Sequence, residues 1–260
     1  MGINLYHDAG TRPLMRDHGR MQTPRPDVAE PHLHPRVTSF RTRRSTLSGG
    51  QQATWERLWP EMGMHARDAD GPAPQLDTES WFGRSAPVVL EIGSGSGVST
   101  LAMAQAEPHL DVVAVEVYRR GLAQLLSAID REGVTNIRLV RGDGVDVLEH
   151  MFGPDSLTGV RVFFPDPWPK ARHHKRRLLQ PATVALIADR LRPGGVLHTA
   201  TDDAGYAEQI AEIGDAEPRL RRVTASDSLP ISVQRPVTKY EGKAQRAGSA
   251  VVELLWEKQP

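Results

Sequence analysis

The sequence has no cysteine among its 260 residues. Disulfide bonds and thiolate zinc sites are therefore excluded, and a reducing cytoplasm is the expected compartment. No apolar run is long enough to span a bilayer, so we expect no membrane contact. The 32 basic and 32 acidic residues cancel. A strong positive field over the whole protein, of the kind that binds nucleic acid indiscriminately, is therefore also absent.

The residues that are present have the balance of a globular chain, with 39% hydrophobic and 25% charged residues. Residues 1–36 are rich in Pro, Arg and His and poor in aliphatic side chains, which predicts a disordered tail without a signal peptide. We expect residues 37–260 to form one domain. Its first helix is predicted over 51–59, after Ser48 and ended by Pro60.

Strand and helix patterns then alternate. Strands are predicted over 88–92, 112–115, 137–140, 159–164 and 196–200, and helices over 99–106, 119–131 and 181–191. This alternation predicts an α/β fold with a doubly wound, mostly parallel sheet that helices cover on both faces. Two further strands, near 222–224 and 250–256, are expected to pair as a hairpin at the edge of the sheet.

An acidic residue stands at the end of each of the five predicted strands. These residues are Glu91, Glu116, Asp143, Asp166 and Asp202. Ligands of a doubly wound sheet bind at the carboxyl ends of its strands. A single acid at such a place is usually a solvated loop residue, but five in succession indicate a binding site.

The turn after the first strand has the spacing G-x-G-x-G, formed by Gly93, Gly95 and Gly97. A dinucleotide fingerprint has the spacing G-x-G-x-x-G, so the third glycine comes one position too early for a nicotinamide cofactor. Glu116 can accept hydrogen bonds from both ribose hydroxyls, and Asp143 can accept one from an adenine amino group. These residues describe an adenosine held without phosphate contacts. The alternative is that both carboxylates only cap helices or lie in loops.

The segment 163–170 reads FFPDPWPK and resembles the D/N-P-P-aromatic loop of nucleobase amino-methyltransferases. Its prolines fix φ and would hold Asp166 in place. Trp168 can either stack on a base or pack within the protein.

The run KARHHKRR over 170–177 contains no acidic residue. Its charge density favours contact with a phosphate backbone over a merely solvated helix face. Adjacent histidines point in different directions, so we predict no metal site. The residues expected to contact RNA are Lys170, Arg172, His173, His174, Lys175, Arg176 and Arg177.

Together these motifs resemble the bacterial tRNA (guanine-N7-)-methyltransferase family over about residues 39–258. The segment 163–177 is the most specific part of the likeness. The resemblance implies a class I methyltransferase fold with seven strands, the last of them antiparallel. It also implies S-adenosylmethionine as the cofactor, tRNA as the partner and N7 of guanine 46 in the variable loop as the methylated atom.

The resemblance also implies roles for single residues. The cofactor would be bound by Glu91, Gly93, Gly95, Gly97, Glu116, Asp143 and Asp166. Asp166 would be catalytic, and the substrate would be held by Lys170, Asp202, Thr238, Lys239, Tyr240 and Glu241 in addition to the basic run. Two departures from the family pattern bear on the late loop: Tyr240 replaces a usual Phe, and Lys243-Ala244 replaces a usual Arg-Gly.

Guanine N7 keeps a lone pair at neutral pH and can attack without first losing a proton. The enzyme then needs placement more than a strong base. We therefore expect Asp166 to orient the donor edge of the guanine rather than to act as a general base.

Two rival classes are a Rossmann-type oxidoreductase and a non-catalytic RNA-binding protein. The glycine spacing disfavours the first and the complete acidic set disfavours the second. We expect a monomer or a weak homodimer.

Overall fold

The computed structural model describes residues 46–236 and 250–260 of the chain. The strands there are Gly63–His65 (β1), Arg67–Asp68 (β2), Gly71–Pro72 (β3), Val88–Ile92 (β4), Asp111–Glu116 (β5), Ile137–Arg141 (β6), Leu157–Phe163 (β7), Leu191–Thr201 (β8), Leu220–Val223 (β9) and Val252–Lys258 (β10). The helices are Gly49–Met62 (α1), Thr78–Phe82 (α2), Val98–Ala106 (α3), Arg119–Glu132 (α4), Gly144–Asp146 (α5), Pro181–Arg190 (α6) and Ala204–Ala216 (α7). A π-helical turn, Val147–Met151, continues α5, and a 3₁₀ helix spans Ala171–Arg176. The predicted tail over 1–36 lies outside the described residues.

One sheet dominates these ranges, with the strand order β1-β6-β5-β4-β7-β8-β10-β9. In this order, every neighbouring pair from β1 through β6, β5, β4 and β7 to β8 is parallel. Strand β10 is antiparallel to both of its neighbours. The predicted α/β fold with an antiparallel last strand is confirmed. The short strand β1, which pairs with β6, is an addition to the seven expected strands.

The sheet separates two hydrophobic cores, as alternation along β5 shows. Val112 and Ala114 pack with residues of α1, α3 and α4, whereas Val113 and Val115 pack with residues of α6 and α7. Successive residues of a strand point to opposite faces, so helices cover the sheet on both sides. All residues of β4, β5 and β7 are buried, which explains why these strands read as apolar runs.

Helix α1 begins two residues before its predicted start and ends three residues after its predicted end. The Ser48 side chain accepts a hydrogen bond from the Gln51 backbone, and the Gln51 side chain accepts one from Ser48, which fixes the start of the helix. The prediction that Pro60 ends the helix is wrong, because the helix continues to Met62. Trp55 and Met62 are both buried in the core against α4, and this packing outweighs the hydrogen bond that proline cannot form.

The largest departures from the predicted elements follow β7. Strand β8 begins at Leu191, five residues earlier than predicted, and a register irregularity between Leu157 and Gly159 accompanies this first part of the strand. Helix α7, capped by the Asp203 side chain, was not predicted. The expected edge strands are confirmed as the antiparallel pair β9 and β10. No helix in the described ranges is long and apolar enough to cross a membrane.

The contact between α7 and β10 leads to a stability prediction. A Cβ at Gly214 would lie 2.3 Å from the ring of Trp256, which is fully buried. We expect Gly214→Ala to destabilise the protein by about 1–3 kcal/mol, as overpacking does. Gly205→Ala in the first turn of the same helix is the control, because its Cβ would meet only Asp203 at an ordinary 3.6 Å. Equal denaturant midpoints for the two variants would contradict the prediction.

Candidate functional site

Parallel pairing brings the five predicted acidic residues to one edge of the sheet. Glu91 is the fourth of five residues in β4, and Glu116 is the last residue of β5. Asp143 follows β6 by two residues, Asp166 follows β7 by three, and Asp202 follows β8 directly. Glu91 and Glu116 are buried, whereas Asp166 and Asp202 are exposed. The edge therefore has a buried part near β4 and β5 and an open part near β7 and β8.

The glycine-rich turn folds back over the end of β5. Gly93, Gly95 and Gly97 have φ values of 83°, 56° and 77°, a region that other residues rarely adopt. The backbone N–H of Gly93 donates to the Val115 carbonyl at 2.9 Å. The G-x-G-x-G spacing is thus required by the conformation of the turn.

Glu116 holds this turn in place. One carboxylate oxygen accepts from the Gly95 N–H at 2.9 Å, and the other accepts from the Tyr118 N–H at 2.9 Å. Each oxygen can accept a second hydrogen bond. Glu116 therefore organises the turn and still has the capacity to accept from a ligand.

Asp143 caps the start of α5, where its side chain accepts from the Val145 N–H at 2.8 Å. This is the capping role that the alternative interpretation predicted. Asp143 lies just beyond β6, whose Arg141 is paired with Glu116 in the sheet, and the N–H of the intervening Gly142 donates to the Glu116 carbonyl at 3.2 Å.

Beneath the turn, polar atoms are buried without a hydrogen-bond partner among the described residues. They are Oε2 of Glu91, Oγ of Ser94 and Oγ1 of Thr100, which lies beside Glu91. Burial raises the pKa of Glu91, and the positive charge of Arg161, its partner in the register of β4 and β7, opposes that rise. An unpaired buried acceptor is costly, so this carboxylate oxygen has the capacity to accept a further hydrogen bond.

The loop after β7 carries Asp166 on a strained backbone. Phe164 and Trp168 have φ values of 49° and 44°, and each precedes a proline. Such conformations cost about 1–3 kcal/mol each and persist only where surrounding contacts hold them. The Phe164 N–H donates to the Ala200 carbonyl of β8 at 2.7 Å, which fixes the start of the loop.

Arg177 fixes the other side of this loop and does not extend into solvent. It is only 4% exposed. Its guanidinium donates to the Pro167 carbonyl at 2.7 Å and to the Gln209 side chain at 2.5 Å, and it lies 4.7 Å over the ring of Tyr206. Because these donors are used inside the protein, Arg177 differs from the rest of the basic run, which was predicted to contact RNA as a whole.

The rest of the basic run forms the exposed face of a 3₁₀ helix. Lys170, Arg172 and Lys175 are exposed, whereas His173, His174 and Arg176 are half-buried. Burial, together with the surrounding cationic side chains, lowers the pKa of His173, and its Nε2 accepts from the Arg172 Nε at 3.3 Å. These six residues lie at the surface of the protein, and their contact with RNA stays a prediction.

Trp168 packs against this helix. Its ring lies 5.1 Å from the Arg176 guanidinium carbon and 5.9 Å from the His173 ring. Trp168 therefore packs within the protein, and stacking of its ring on a base stays a prediction. The contact joins the loop that carries Asp166 to the basic surface.

Sequence reasoning missed a polar network behind the loop. The side chains of Glu107, Arg161, His198 and Arg235 in this network are buried, and that of Glu253 is 36% exposed. Arg161 pairs with Glu107 at 2.5 Å, and His198 pairs with Glu253 at 2.9 Å. A charged or imidazole side chain inside an otherwise apolar strand was the signal that could have revealed Arg161 and His198.

Four predicted substrate residues, Thr238, Lys239, Tyr240 and Glu241, lie outside the described residues, as does the Lys243-Ala244 departure. In the described ranges, one group of side chains has potential metal-ligand atoms close together: those of Asp146, Glu149 and His150 lie within 4.8 Å of one another. Asp146 already accepts from the Arg67 guanidinium at 3.2 and 3.3 Å.

The family model described as "Putative methyltransferase" matches residues 85–254, the part of the chain that contains strands β4 to β9 and the first three residues of β10. The doubly wound sheet, with its acidic strand ends and glycine-rich turn, is thus the fold of a methyltransferase.

Curated relatives show to which family of methyltransferases the chain belongs. A protein of Mycolicibacterium gilvum named tRNA (guanine-N(7)-)-methyltransferase is 70% identical, over 95% of this chain and 100% of its own length. Proteins with the same name from Mycobacterium sp. strain KMS and Mycobacterium tuberculosis strain H37Ra are 72% and 64% identical, over 90% and 94% of this chain and 85% and 96% of their own. The chain belongs to the tRNA (guanine-N(7)-)-methyltransferase family.

The packing of α4 against the glycine-rich turn leads to a prediction about how firmly the turn is held in place. A Cβ at Gly121 of α4 would lie 2.2 Å from the Gly95 carbonyl oxygen. We expect Gly121→Ala to displace the turn and weaken the Gly95–Glu116 hydrogen bond, although alanine favours the helix by about 1 kcal/mol. Hydrogen exchange at Gly95 should be faster than in the native protein. Gly50→Ala in α1, where a Cβ meets open space, is the control. Unchanged exchange at Gly95 would contradict the expected displacement.

Proposed function

We propose that this enzyme transfers a methyl group from S-adenosylmethionine to N7 of a guanine in tRNA. The observation that carries the proposal is the contact between Trp168 and Arg176, which joins the Asp166 loop to an exposed basic surface. This places the acidic end of the sheet beside a surface suited to a polyanion. The names of the relatives support the same reaction.

The residues around the glycine-rich turn fit the cofactor. When bound, S-adenosylmethionine supplies a methyl group on a positively charged sulfur. Glu116 would accept from the ribose hydroxyls, Asp143 would lie at the adenine, and Glu91 offers a buried acceptor whose Oε2 has no partner among the described residues. Open space around the Cα atoms of Gly93 and Gly95 lets a ligand approach the backbone.

The exposed part of the basic run would bind the tRNA backbone. Lys170, Arg172 and Lys175 extend from one 3₁₀ helix and its start, and Arg176 contributes a half-buried guanidinium. Each phosphate contact releases counterions, so this surface gives affinity that depends on salt and not on sequence. Recognition of the guanine must come from the neighbouring loops.

Asp166 would recognise and stabilise the guanine. A base held in tertiary contacts must be extruded to reach a pocket. The Asp166 carboxylate can accept from N1–H and from the exocyclic amino group of guanine, two donors that adenine does not offer on that edge. The purine gains positive charge as N7 is methylated, and a fixed carboxylate stabilises that charge. Asp202, directly after β8, would add a second acceptor.

The finer assignments also come from the family resemblance. We propose guanine 46 of the variable loop as the target, the cytoplasm as the compartment, and Thr238, Lys239, Tyr240 and Glu241 as further substrate contacts. Mass spectrometry of nuclease fragments from tRNA treated with enzyme and labelled cofactor locates the methylated guanine. A labelled methyl group on another atom or another nucleotide would overturn the assignment.

The basic surface predicts the salt dependence of tRNA binding. Arg172, Lys175 and Arg176 changed together to Ala should weaken binding and flatten its salt dependence by about 0.7–0.9 units of logarithmic slope per lost phosphate contact. Arg57, Arg131 and Arg221 changed together are the control, since each is exposed and paired with a carboxylate elsewhere on the protein. Arg177 is left unchanged because it supports the loop. If the two triple variants have equal slopes, tRNA does not bind through the 3₁₀ helix.

The role of Asp166 predicts the effect of removing its charge. Asp166→Ala should lower the single-turnover rate of methyl transfer by about 100-fold or more, the scale for losing a group aimed at developing charge. Asp166→Asn should also be slow, because an amide has one acceptor oxygen and no charge. Cofactor affinity by calorimetry and the melting temperature should change little. A rate near that of the native enzyme for Asp166→Ala would remove this residue from the catalytic set.

A further inference from the structure

Arg235 is buried against the loop that carries Asp166. Its side chain is only 2% exposed, and one guanidinium nitrogen lies 2.9 Å from a carboxylate oxygen of Glu253 on β10. The guanidinium carbon lies 4.9 Å over the ring of Phe164 and 5.8 Å from the ring of Phe163. Arg235 thus contacts the two residues that lead from β7 into the loop.

Glu253 and His198 extend this contact across the sheet. The second oxygen of Glu253 lies 2.9 Å from His198 Nε2, and the His198 ring meets the edge of the Phe163 ring at 4.8 Å. The side chains of Arg235, Glu253, His198 and Phe163 thus contact one another in a closed circuit around the start of the loop. A movement of Arg235 would therefore disturb the ring of Phe164 directly.

The backbone before Arg235 is fixed independently of this circuit. Ile231 is buried in a hydrophobic core. The Ser232 N–H donates to Glu107 at 2.5 Å, and the Ser232 carbonyl accepts from Arg161 at 3.1 Å. Because Glu107 and Arg161 are themselves paired and buried, the chain reaches Arg235 from a rigid support.

A guanidinium is an expensive group to bury, and an apolar side chain would close the same space at lower cost. Here the cost is offset by Glu253 and by two aromatic rings, which bind a cation most strongly when it is desolvated. One of those rings belongs to Phe164, whose φ of 49° needs support from its surroundings. The placement suits a residue that holds a strained loop in one geometry.

We propose that Arg235 is a positioning residue for methyl transfer: through its contacts with Phe164 and Glu253 it holds the Phe164-Pro165-Asp166 segment in its reactive geometry. The proposal rests on the function proposed above for Asp166. Arg235 acts through the loop and does not touch the reacting atoms.

The test compares Arg235→Gln with Arg235→Lys and Arg222→Gln. Arg222 is the control for the kinds of contact, because its guanidinium also lies over an aromatic ring, Trp256 at 4.7 Å, and pairs with a carboxylate, Asp215 at 2.8 Å, but its side chain is 36% exposed and lies away from the loop of Asp166. The measurements are kcat and KM for tRNA, cofactor affinity by calorimetry, and the melting temperature.

We expect Arg235→Gln to lower kcat by about 10- to 100-fold, as small misplacements of reacting groups do. KM for tRNA and cofactor affinity should stay within about two-fold, since no binding contact is removed. Arg235→Lys should recover part of kcat because it keeps the charge. Arg222→Gln should keep the native kcat even if its melting temperature falls.

A double-mutant cycle locates the effect. Phe164→Leu combined with Arg235→Gln should lose little more kcat than the worse single variant, because the two changes remove one contact. If Arg235→Gln does not fold, Glu253→Gln takes its place in the same cycle. Native kcat in Arg235→Gln, full additivity with Phe164→Leu, or an equal loss in Arg222→Gln would overturn the proposal. Failure of the native enzyme to methylate tRNA would instead overturn the proposed function.

Discussion

The parallel pairing of β6, β5, β4, β7 and β8 is the constraint on which the site depends. Parallel strands all end at the same edge, so residues scattered from Glu91 to Asp202 in the chain meet in space. The strands hold this register because both faces are buried under helices, and a shift of one residue would exchange the two cores. The chemistry of the edge can then vary in loops without disturbing the sheet.

Two kinds of backbone strain lie at that edge, and each has its own support. The glycine-rich turn avoids steric cost by using glycine wherever φ is positive, and Glu116 ties it to β5. The loop after β7 has no glycine at its positive-φ positions, Phe164 and Trp168. It is held from outside, by Arg177 on one side and Arg235 on the other. Two buried arginine side chains thus support the conformation of this loop.

Burial divides the basic residues by role. The guanidiniums of Arg161, Arg177 and Arg235 are almost wholly enclosed, and each is paired with carbonyl or carboxylate oxygens. Enclosed ion pairs are weak stabilisers because desolvation consumes most of their attraction, but removal of one partner is costly. Their value lies in fixing geometry. The exposed Lys170, Arg172 and Lys175 have no such constraint and can meet a flexible polyanion.

The sequence by itself determined the fold class, the main strands along the chain and the acidic residues at their ends, because apolar periodicity and strand-end residues are local signals. It also determined the G-x-G-x-G turn, since the positive φ values of the turn require glycine at these positions.

Only the tertiary structure decided which charged side chains are buried. Arg176 and Arg177 are adjacent in a basic run, yet one lies at the surface over Trp168 and the other is buried over Tyr206. The continuation of α1 through Pro60 was decided by packing against α4, and the circuit of Arg235, Glu253 and His198 by strand pairing of distant segments. Burial and pairing of this kind depend on contacts between residues far apart in the chain, which no local pattern records.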